Sequence, residues 1–282
     1  QSLLPALAVG RPVIAKSPSE EPFFAPAFAA ALSAADAHLA AALAVLRWRG
    51  GDDELETVVL DRAGRILAYG DETSTASLAR RGASKTITYG PKASLAVVGE
   101  TADLGRAAAG LARDVALFDQ RGCLSVHAVF TASDATKLAG RLAEELSRLA
   151  ETLPPGPAVP SEVAGLRQAL AEAELRGLEH VSLGWPTSGH GTVIVDPEPH
   201  LRPSPGLRCV RVHPLPDLSR LPGLLASWSG KLQGAALAGE GAWELVPALT
   251  ALGFSRFTAP GDLQATDALW FNGGIDPLAA LS

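Results

Sequence analysis

Asp114-Val-Ala-Leu-Phe-Asp-Gln-Arg-Gly-Cys-Leu-Ser125 contains, in order, the apolar end of a helix and a polar, glycine-containing corner. The residues that follow, 126–130, are apolar except for His127 and predict a strand that leaves the corner. A thiol at the edge of such a corner can be approached by an electrophile, whereas a thiol in the middle of a helix cannot. Cys123 is therefore a candidate catalytic nucleophile.

Packing is the alternative explanation for this cysteine, because a free cysteine often behaves as a small buried hydrophobe. The chain has only two cysteines, so a disulfide scaffold does not explain it. The other one, Cys209, alternates with Val210 and Val212 and is expected within a strand. His127 follows Cys123 by four residues, but the strand should carry its ring away, which favours a packed histidine over a Cys–His pair.

Strand-like and helix-like segments alternate on both sides of the corner. The predicted strands are 12–15, 57–60, 93–98, 126–130, 190–195 and 208–212. The predicted helices are 22–46, 101–118 with Thr101 as its cap, 137–153, 163–177, 222–230 and 243–252. This alternation predicts an α/β fold with a mainly parallel sheet.

The composition excludes several functional classes. The chain has 282 residues, of which 47% are hydrophobic and 19% charged, enough for one large domain or two ordinary ones. Its formal net charge of -6 and the lack of a Lys/Arg-rich run argue against nucleic-acid binding. The most apolar segment, 28–46, is interrupted by Asp36 and His38, so no membrane span is predicted. With no visible secretory signal and few cysteines, a cytoplasmic location is expected.

The first residues predict that the sequence is part of a longer protein. The chain begins with Gln1, contains no methionine, and already shows helical spacing at Leu3, Leu4 and Leu7. We therefore expect an internal or C-terminal piece, lacking an N-terminal part.

The corner segment 114–125 resembles the nucleophile segment of the LuxC-type acyl-CoA reductases, which are acylating members of the aldehyde dehydrogenase superfamily. Three other stretches resemble the family in the same order: 8–19, 89–98 with its Gly-Pro-Lys, and the tail 255–270. The resemblance implies an aldehyde dehydrogenase-like fold with a parallel-sheet cofactor-binding part and an α/β catalytic domain. It divides the chain into a partial nucleotide-binding domain (1–90), a catalytic domain (91–254) and a C-terminal segment (255–282).

The resemblance also implies a mechanism. The Cys123 thiolate would attack an acyl-CoA thioester, and a nicotinamide cofactor would reduce the acyl-enzyme to an aldehyde. Arg121, two residues away, is a candidate for favouring the thiolate. Hydrolytic relatives carry a glutamate that activates water, but the matching stretch 87–92 has no carboxylate, and Glu100 is expected at the surface. The acylating, reductive chemistry is therefore preferred.

Three cofactor contacts follow from the same resemblance. Lys16, at the end of a predicted strand, would contact the adenosine ribose. Ser19 stands where relatives that prefer NAD often have glutamate, which favours NADPH, with NADH as the alternative. Gly70 would face the pyrophosphate through its backbone only, because Asp71 and Glu72 would repel phosphate. The histidines lack metal-ligand spacing, so no metal is expected.

The implied partners are an acyl-CoA substrate and either a second copy of the chain or a fatty-acid reductase complex. A loop containing Trp185 and residues 188–192 could line the acyl site, or be a plain turn. Two other functions remain open: a non-catalytic remnant that binds nucleotide or a partner, and a hydrolytic NAD(P)-dependent aldehyde dehydrogenase.

Overall fold

The computed structural model describes residues 2–19, 21–183, 190–267 and 270–281. The chain divides into two compact units. Unit 1 comprises residues 1–91 and 267–282, and unit 2 comprises residues 92–266.

Unit 1 alternates short helices with four short strands. Its elements are α1 (Leu3–Ala8), β1 (Val13–Lys16), α2 (Phe24–Ala35), α3 (Ala37–Ala40), β2 (Leu43–Leu46), α4 (Asp53–Arg62), β3 (Ile66–Tyr69), α5 (Glu72–Gly82) and β4 (Thr86–Tyr89). The strands form two parallel pairs, β1 with β2 and β3 with β4. Burial here is modest: β1 and β2 alternate between partly buried and exposed residues, and none of the α2 residues is buried.

Unit 2 is built on a seven-stranded sheet. Its elements are β5 (Ala93–Val98), α6 (Leu104–Ala116), β6 (Val126–Thr131), α7 (Ala135–Thr152), α8 (Pro160–Leu175), β7 (His180–Leu183), β8 (Gly191–Val195), β9 (Cys209–Pro214), α9 (Leu221–Leu224), β10 (Leu232–Ala238), α10 (Val246–Ala251) and β11 (Arg256–Thr258). The strand order is β11-β10-β5-β6-β9-β8-β7, and all neighbours are parallel except β7 and β8. This confirms the prediction of an α/β fold with a mainly parallel sheet.

The core of unit 2 lies around its central strands. Every residue of β5 is buried, as expected for a strand with helices over both faces of its sheet. Leu95 and Phe130 pack in a cluster with Leu221 and Leu249 of the short helices α9 and α10. The helices α6 and α7 pack against each other through faces rich in alanine and leucine.

Two of the predicted elements are wrong. The predicted helix 22–46 is two helices and a strand, because Asp36 has an extended backbone that ends α2 and its side chain caps α3 at the Leu39 N–H. The predicted strand 57–60 lies inside α4. There the Asp52 side chain caps the helix at the Leu55 N–H. Three acidic residues in the first turn also stabilise the helix, because their negative charges lie at its positive N-terminal end. These capping effects outweigh the strand preference of Thr57 and the two valines after it.

The predicted cap of α6 is also wrong by two residues. The Asp103 side chain accepts the N–H groups of Gly105 and Arg106, so Asp103, and not Thr101, caps this helix. The helix ends at Ala116, where a tighter turn begins.

Candidate active site

Cys123 lies between a tight turn at Leu117–Gln120 and the first residue of β6. The cysteine is exposed, while the next two residues, Leu124 and Ser125, are 5% and 0% exposed. The chain therefore enters the core directly after Cys123, so an accessible residue is carried by a buried support.

The backbone of Cys123 is fixed to two neighbouring strands of the sheet, β5 and β10. The Ser94 hydroxyl of β5 donates to the Cys123 carbonyl (2.7 Å) and accepts the N–H of Gly234 on β10 (3.0 Å). Within the corner, the Ser125 N–H donates to the Gly122 carbonyl at 3.0 Å. These bonds leave the thiol little freedom of position, as preorganised chemistry requires.

The turn before the cysteine has a strained backbone. Phe118, Asp119 and Gln120 have φ values of 57°, 48° and 62°, the left-handed region that favours glycine. This conformation costs non-glycine residues roughly 1–2 kcal/mol each, so three in succession need bracing. Gln120 provides part of the support for this turn, because its buried side-chain amide donates to the backbone carbonyls of Val126 (2.9 Å) and Cys209 (2.8 Å).

Several groups act on the ionisation of the thiol. Partial burial raises the pKa of Cys123 above its ordinary value, while its own N–H, the N–H of Leu124 and the charge of Lys92 act in the opposite direction. Lys92 is held in place by donating to the Gly230 carbonyl at 2.9 Å. The resting thiol is therefore mostly protonated at neutral pH, and the N–H groups and the ammonium group are the features that would stabilise its thiolate.

Arg121 does not take the role considered for it. Its Nε and Nη2 atoms donate to the two carboxylate oxygens of Glu162, each at 2.7 Å, and Nη2 also donates to the Pro157 carbonyl. The guanidinium charge is thus committed to α8. The cation that acts on Cys123 is Lys92, which the sequence marked only as the lysine of the Gly-Pro-Lys in the stretch 89–98.

A buried acid braces the helix that leads to the corner. The Asp114 carboxylate is 0% exposed and accepts the N–H groups of Gly261 (2.7 Å) and Leu263 (3.1 Å). Burial raises the pKa of Asp114 to about 6. The Gln264 amide donates to the Asp114 backbone carbonyl. Its Oε1 atom lies close to Gly122: a β-carbon added to that glycine would be only 3.0 Å from Oε1. The local sequence, in which Asp114 directly follows Arg113, gave no signal for this contact.

The proposed ribose-binding lysine lies at the exposed end of a strand. Lys16 is the last residue of β1, and its Nζ atom lies 5.5 Å from the centroid of the Trp48 ring, within cation–π range. Ser19 is exposed three residues later. Both positions follow the carboxyl end of a parallel strand, where nucleotides bind in open α/β sheets.

Gly70 belongs to the other two-stranded sheet of unit 1. It is exposed directly after β3, and the next residue, Asp71, caps α5 by accepting the Ser74 N–H at 2.7 Å. Hydrogen bonds from Ser74 lower the pKa of Asp71, so a carboxylate already occupies the positive end of this helix. This arrangement fits a backbone contact from Gly70 and disfavours a phosphate at the start of α5.

His127 is part of the packing and not a partner of the thiol. Its Nδ1 accepts the Ser204 N–H at 2.9 Å, and burial lowers its pKa to about 4. It lines a cavity of about 240 Å³ with charged residues that include Glu172, Arg202 and Arg211. Cys209 also lines it, and burial raises the pKa of its thiol to about 12.

The loop predicted to line the acyl site falls largely outside the described residues, because Trp185 and residues 188–189 are not among them. The end of that segment, Gly191 and Thr192, begins β8. Within the described ranges no group of three His, Cys, Asp or Glu side chains could hold a metal ion. No helix in the same part of the chain is long and apolar enough to cross a membrane.

Comparison with known families identifies the chain over its whole length. Residues 1–282 match the family model described as acyl-CoA reductase (LuxC). The chain belongs to the LuxC family. The resemblance inferred from the corner segment and the three other stretches is thereby confirmed.

Curated relatives of this LuxC family chain include the long-chain acyl-protein thioester reductases of Vibrio harveyi and Photorhabdus luminescens. The first is 26% identical over 219 residues, covering 75% of this chain and 45% of the relative. The second is 30% identical over 161 residues, covering 54% of this chain and 33% of the relative. The chain thus spans about half the length, or less, of these relatives.

Solved structures confirm the aldehyde dehydrogenase-like fold. Glyceraldehyde-3-phosphate dehydrogenase from Methanocaldococcus jannaschii, solved with NADP, matches with a TM-score of 0.73 at 14% identity, covering 98% of this chain and 64% of that one. Aldehyde dehydrogenase C from Pseudomonas syringae, solved with NAD+ and octanal, also has a TM-score of 0.73, at 13% identity, covering 98% and 61%. At these identities the likeness concerns the fold alone.

Proposed function

We propose that this LuxC family protein is an oxidoreductase that converts long-chain acyl-CoA to the aldehyde with NADPH, through an acyl thioester on Cys123. The observation that carries the proposal is an exposed thiol on a braced corner, in a chain that matches a family of acyl-CoA reductases over its whole length. The proposal includes nucleotide binding by residues 1–90 and catalysis by residues 91–254. It also includes a cytoplasmic location and assembly into a homo-oligomer or a fatty-acid reductase complex.

The thiol performs the first half of the reaction. The Cys123 thiolate attacks the acyl carbonyl carbon, the bond from that carbon to the coenzyme A sulfur breaks, and coenzyme A leaves as its thiolate. The N–H groups of Cys123 and Leu124, which favour negative charge at this corner, are candidates for holding the developing oxyanion. The product of this half is an acyl–Cys123 thioester.

The second half requires a hydride, which the reduced nicotinamide of NADPH supplies when bound. Addition of hydride to the carbonyl carbon would give the alkoxide of a thiohemiacetal on Cys123, whose collapse re-forms the carbonyl, breaks the carbon–sulfur bond, and releases the aldehyde and the Cys123 thiolate. Lys16 and Ser19 are the residues proposed to hold the adenosine ribose. An exposed lysine and a neutral serine fit the extra phosphate of NADPH, and NADH is the alternative.

The stretch 87–92 supports reduction over hydrolysis, because it offers no base for activating water. It contains no carboxylate, and burial raises the pKa of its tyrosine, Tyr89, to about 12. That phenol stays protonated at neutral pH. Hydrolytic aldehyde oxidation is therefore the less favoured enzymatic alternative.

The acyl donor is the open part of this proposal. The family description names acyl-CoA, whereas the curated relatives are named for acyl-protein thioesters. Both donors are thioesters and would give the same acyl–Cys123 species. A non-catalytic remnant that binds nucleotide or a partner is the second candidate function.

Intact-mass spectrometry of the chain after incubation with a long-chain acyl-CoA tests the proposal. We expect a mass increase of one acyl group in the wild type, no increase in Cys123→Ser, and an unchanged increase in Cys209→Ala. Cys209 is a matched control because its thiol is 2% exposed and protonated.

A wild-type protein that binds NADPH but gains no acyl group would support the remnant instead. Acylation that survives in Cys123→Ser would reject Cys123 as the nucleophile. Aldehyde oxidation without added coenzyme A would support the hydrolytic alternative.

A further inference from the structure

The turn before Cys123 is not held by hydrophobic packing. Phe118 begins its left-handed run, yet its side chain is 69% exposed. An exposed aromatic residue in a strained backbone gains nothing from burial, so polar contacts must hold the turn. Those polar contacts come from the turn residues that follow Phe118.

Asp119 makes the most concentrated of these contacts. Its Oδ1 atom accepts a hydrogen bond from Arg208 Nε at 2.8 Å and lies 2.8 Å from Nη2 in the same ion pair, and its Oδ2 atom accepts the Gly156 N–H at 2.8 Å. Arg208 is 1% exposed, and its Nη1 atom donates to the Leu153 carbonyl at 3.0 Å. A buried guanidinium and one carboxylate thus join the turn to the segment after α7.

The arginine is itself held in a left-handed backbone. Leu207 and Arg208 have φ values of 55° and 57°. Asp119 pairs with Arg208, and Gln120 donates to the carbonyl of Cys209, so two successive turn residues meet two successive residues at the start of β9. The ion pair therefore links two strained segments, each of which the other keeps in place.

We propose that Asp119 and Arg208 form a clamp that positions Cys123 for acyl transfer. The clamp, defined as the Asp119–Arg208 ion pair, touches neither substrate nor cofactor in this proposal, so both are positioning residues. It fixes the course of residues 118–122, so that the thiol emerges beside its own N–H and that of Leu124. The inference rests on the proposed function for the reacting group, but the geometry of the thiol can be measured without it.

The rate of Cys123 alkylation by iodoacetamide, followed peptide by peptide across pH 6 to 10, tests the clamp. In Arg208→Gln and Asp119→Gly we expect alkylation at pH 8 to slow by about ten-fold, as a misplaced thiol loses its N–H contacts. The midpoint of the pH profile should move to higher pH. Asp119→Gly is informative because glycine adopts the left-handed backbone freely, so this variant loses the clamp without gaining strain.

Conservative and distant substitutions provide the controls. Asp119→Asn tolerates the left-handed backbone and keeps a carbonyl oxygen for Arg208, but it removes the negative charge and its NH₂ group cannot accept the Gly156 N–H, so its rate should fall between those of the wild type and Asp119→Gly. Arg211→Gln breaks another ion pair of unit 2, the contact with Asp196 at 3.0 Å, and should leave the Cys123 pH profile unchanged.

The clamp would be rejected if the pH profile of Cys123 alkylation kept its wild-type midpoint in both Arg208→Gln and Asp119→Gly. It would also be rejected if Arg211→Gln shifted that midpoint equally, because the effect would then be a general loosening of unit 2. Absence of an acyl adduct in the wild type would reject the proposed function while leaving the alkylation result valid.

Discussion

His127 illustrates how a single buried ring sets a pH dependence. Its pKa falls from 6.5 to about 4 because burial disfavours the imidazolium form. Between these values the unfolded chain binds a proton at this residue and the folded chain does not. The folded state therefore loses stability as the pH falls from about 6.5 towards 4, by up to about 3 kcal/mol from this residue.

Replacing this histidine should remove that loss. In His127→Asn the side-chain oxygen can still accept the Ser204 N–H, but nothing titrates. We expect the free energy of unfolding, measured by urea titration at pH 4.5 and 6.5, to differ less between the two pH values than in the wild type. His38→Asn, at an exposed residue of α3, is the control. An unchanged pH difference in His127→Asn would contradict the assignment.

At this scale the sequence indicated an accessible cysteine at a corner, whose role as nucleophile stays a prediction, but it did not indicate the groups that support this cysteine. A cysteine after a polar corner is a local pattern, and it is visible within twelve residues. Asp119 and Arg208 are 89 residues apart, and an arginine at the first position of a strand pattern gives no sign that it will be buried. Asp114 is similar, since nothing in its local sequence indicates its contacts with Gly261 and Leu263.

Among the elements, α6 depends on a glycine where another segment crosses it. A β-carbon on Gly110 would stand 2.3 Å from the Pro260 carbonyl oxygen, a contact that backbone atoms cannot relieve without moving. Gly140 on the neighbouring helix α7 has no heavy atom within 4 Å of the same position. The two glycines therefore differ in environment but not in secondary structure.

Gly110→Ala should destabilise the protein by about 2 kcal/mol or more, because the loop that carries Gly261 and Leu263 must shift. Gly140→Ala should stabilise it by about 0.5–1 kcal/mol, since alanine is the better helix former. Thermal and urea unfolding of the two variants measure both effects. Equal changes in the same direction would show that the close approach at Pro260 is not limiting.

Elements with a strong apolar period could be predicted from the sequence, whereas short elements that depend on capping or on pairing with a distant strand could not. The strand Ala93–Val98 and the helix Ala135–Thr152 follow directly from apolar runs and leucine spacing. The strands Leu43–Leu46 and Ile66–Tyr69 were missed, because each is only four residues long and pairs with a distant strand. Their existence depends on tertiary pairing more than on local preference.

For the molecule as a whole, the response to acid is a balance of opposed groups. Burial raises the pKa of Asp114 from 3.8 to about 6, so this residue contributes stability below about pH 4 that is lost as the pH rises through 6. His127 acts in the opposite sense over the same range. Burial also lowers the pKa of His213, which adds to the effect of His127.

Asp114→Asn should disturb that balance. With the acid removed, the histidines act unopposed, and the free energy of unfolding should rise more steeply between pH 4 and 6 than in the wild type. Urea titrations at half-unit pH intervals measure the slope. Asp61→Asn, at an exposed residue of α4, provides the comparison. A shallower slope in Asp114→Asn would show that this carboxyl is ionised throughout the range.

The meeting of Asp119 with Arg208 also bears on the order of folding. Closing a chain over 89 residues is entropically costly, and it becomes favourable only when the intervening helices and strands are already packed. A nascent or partly assembled polypeptide would consequently carry an ordinary, loosely held sulfhydryl. Chemical competence at that sulfur would then emerge late, as a property of the finished tertiary structure.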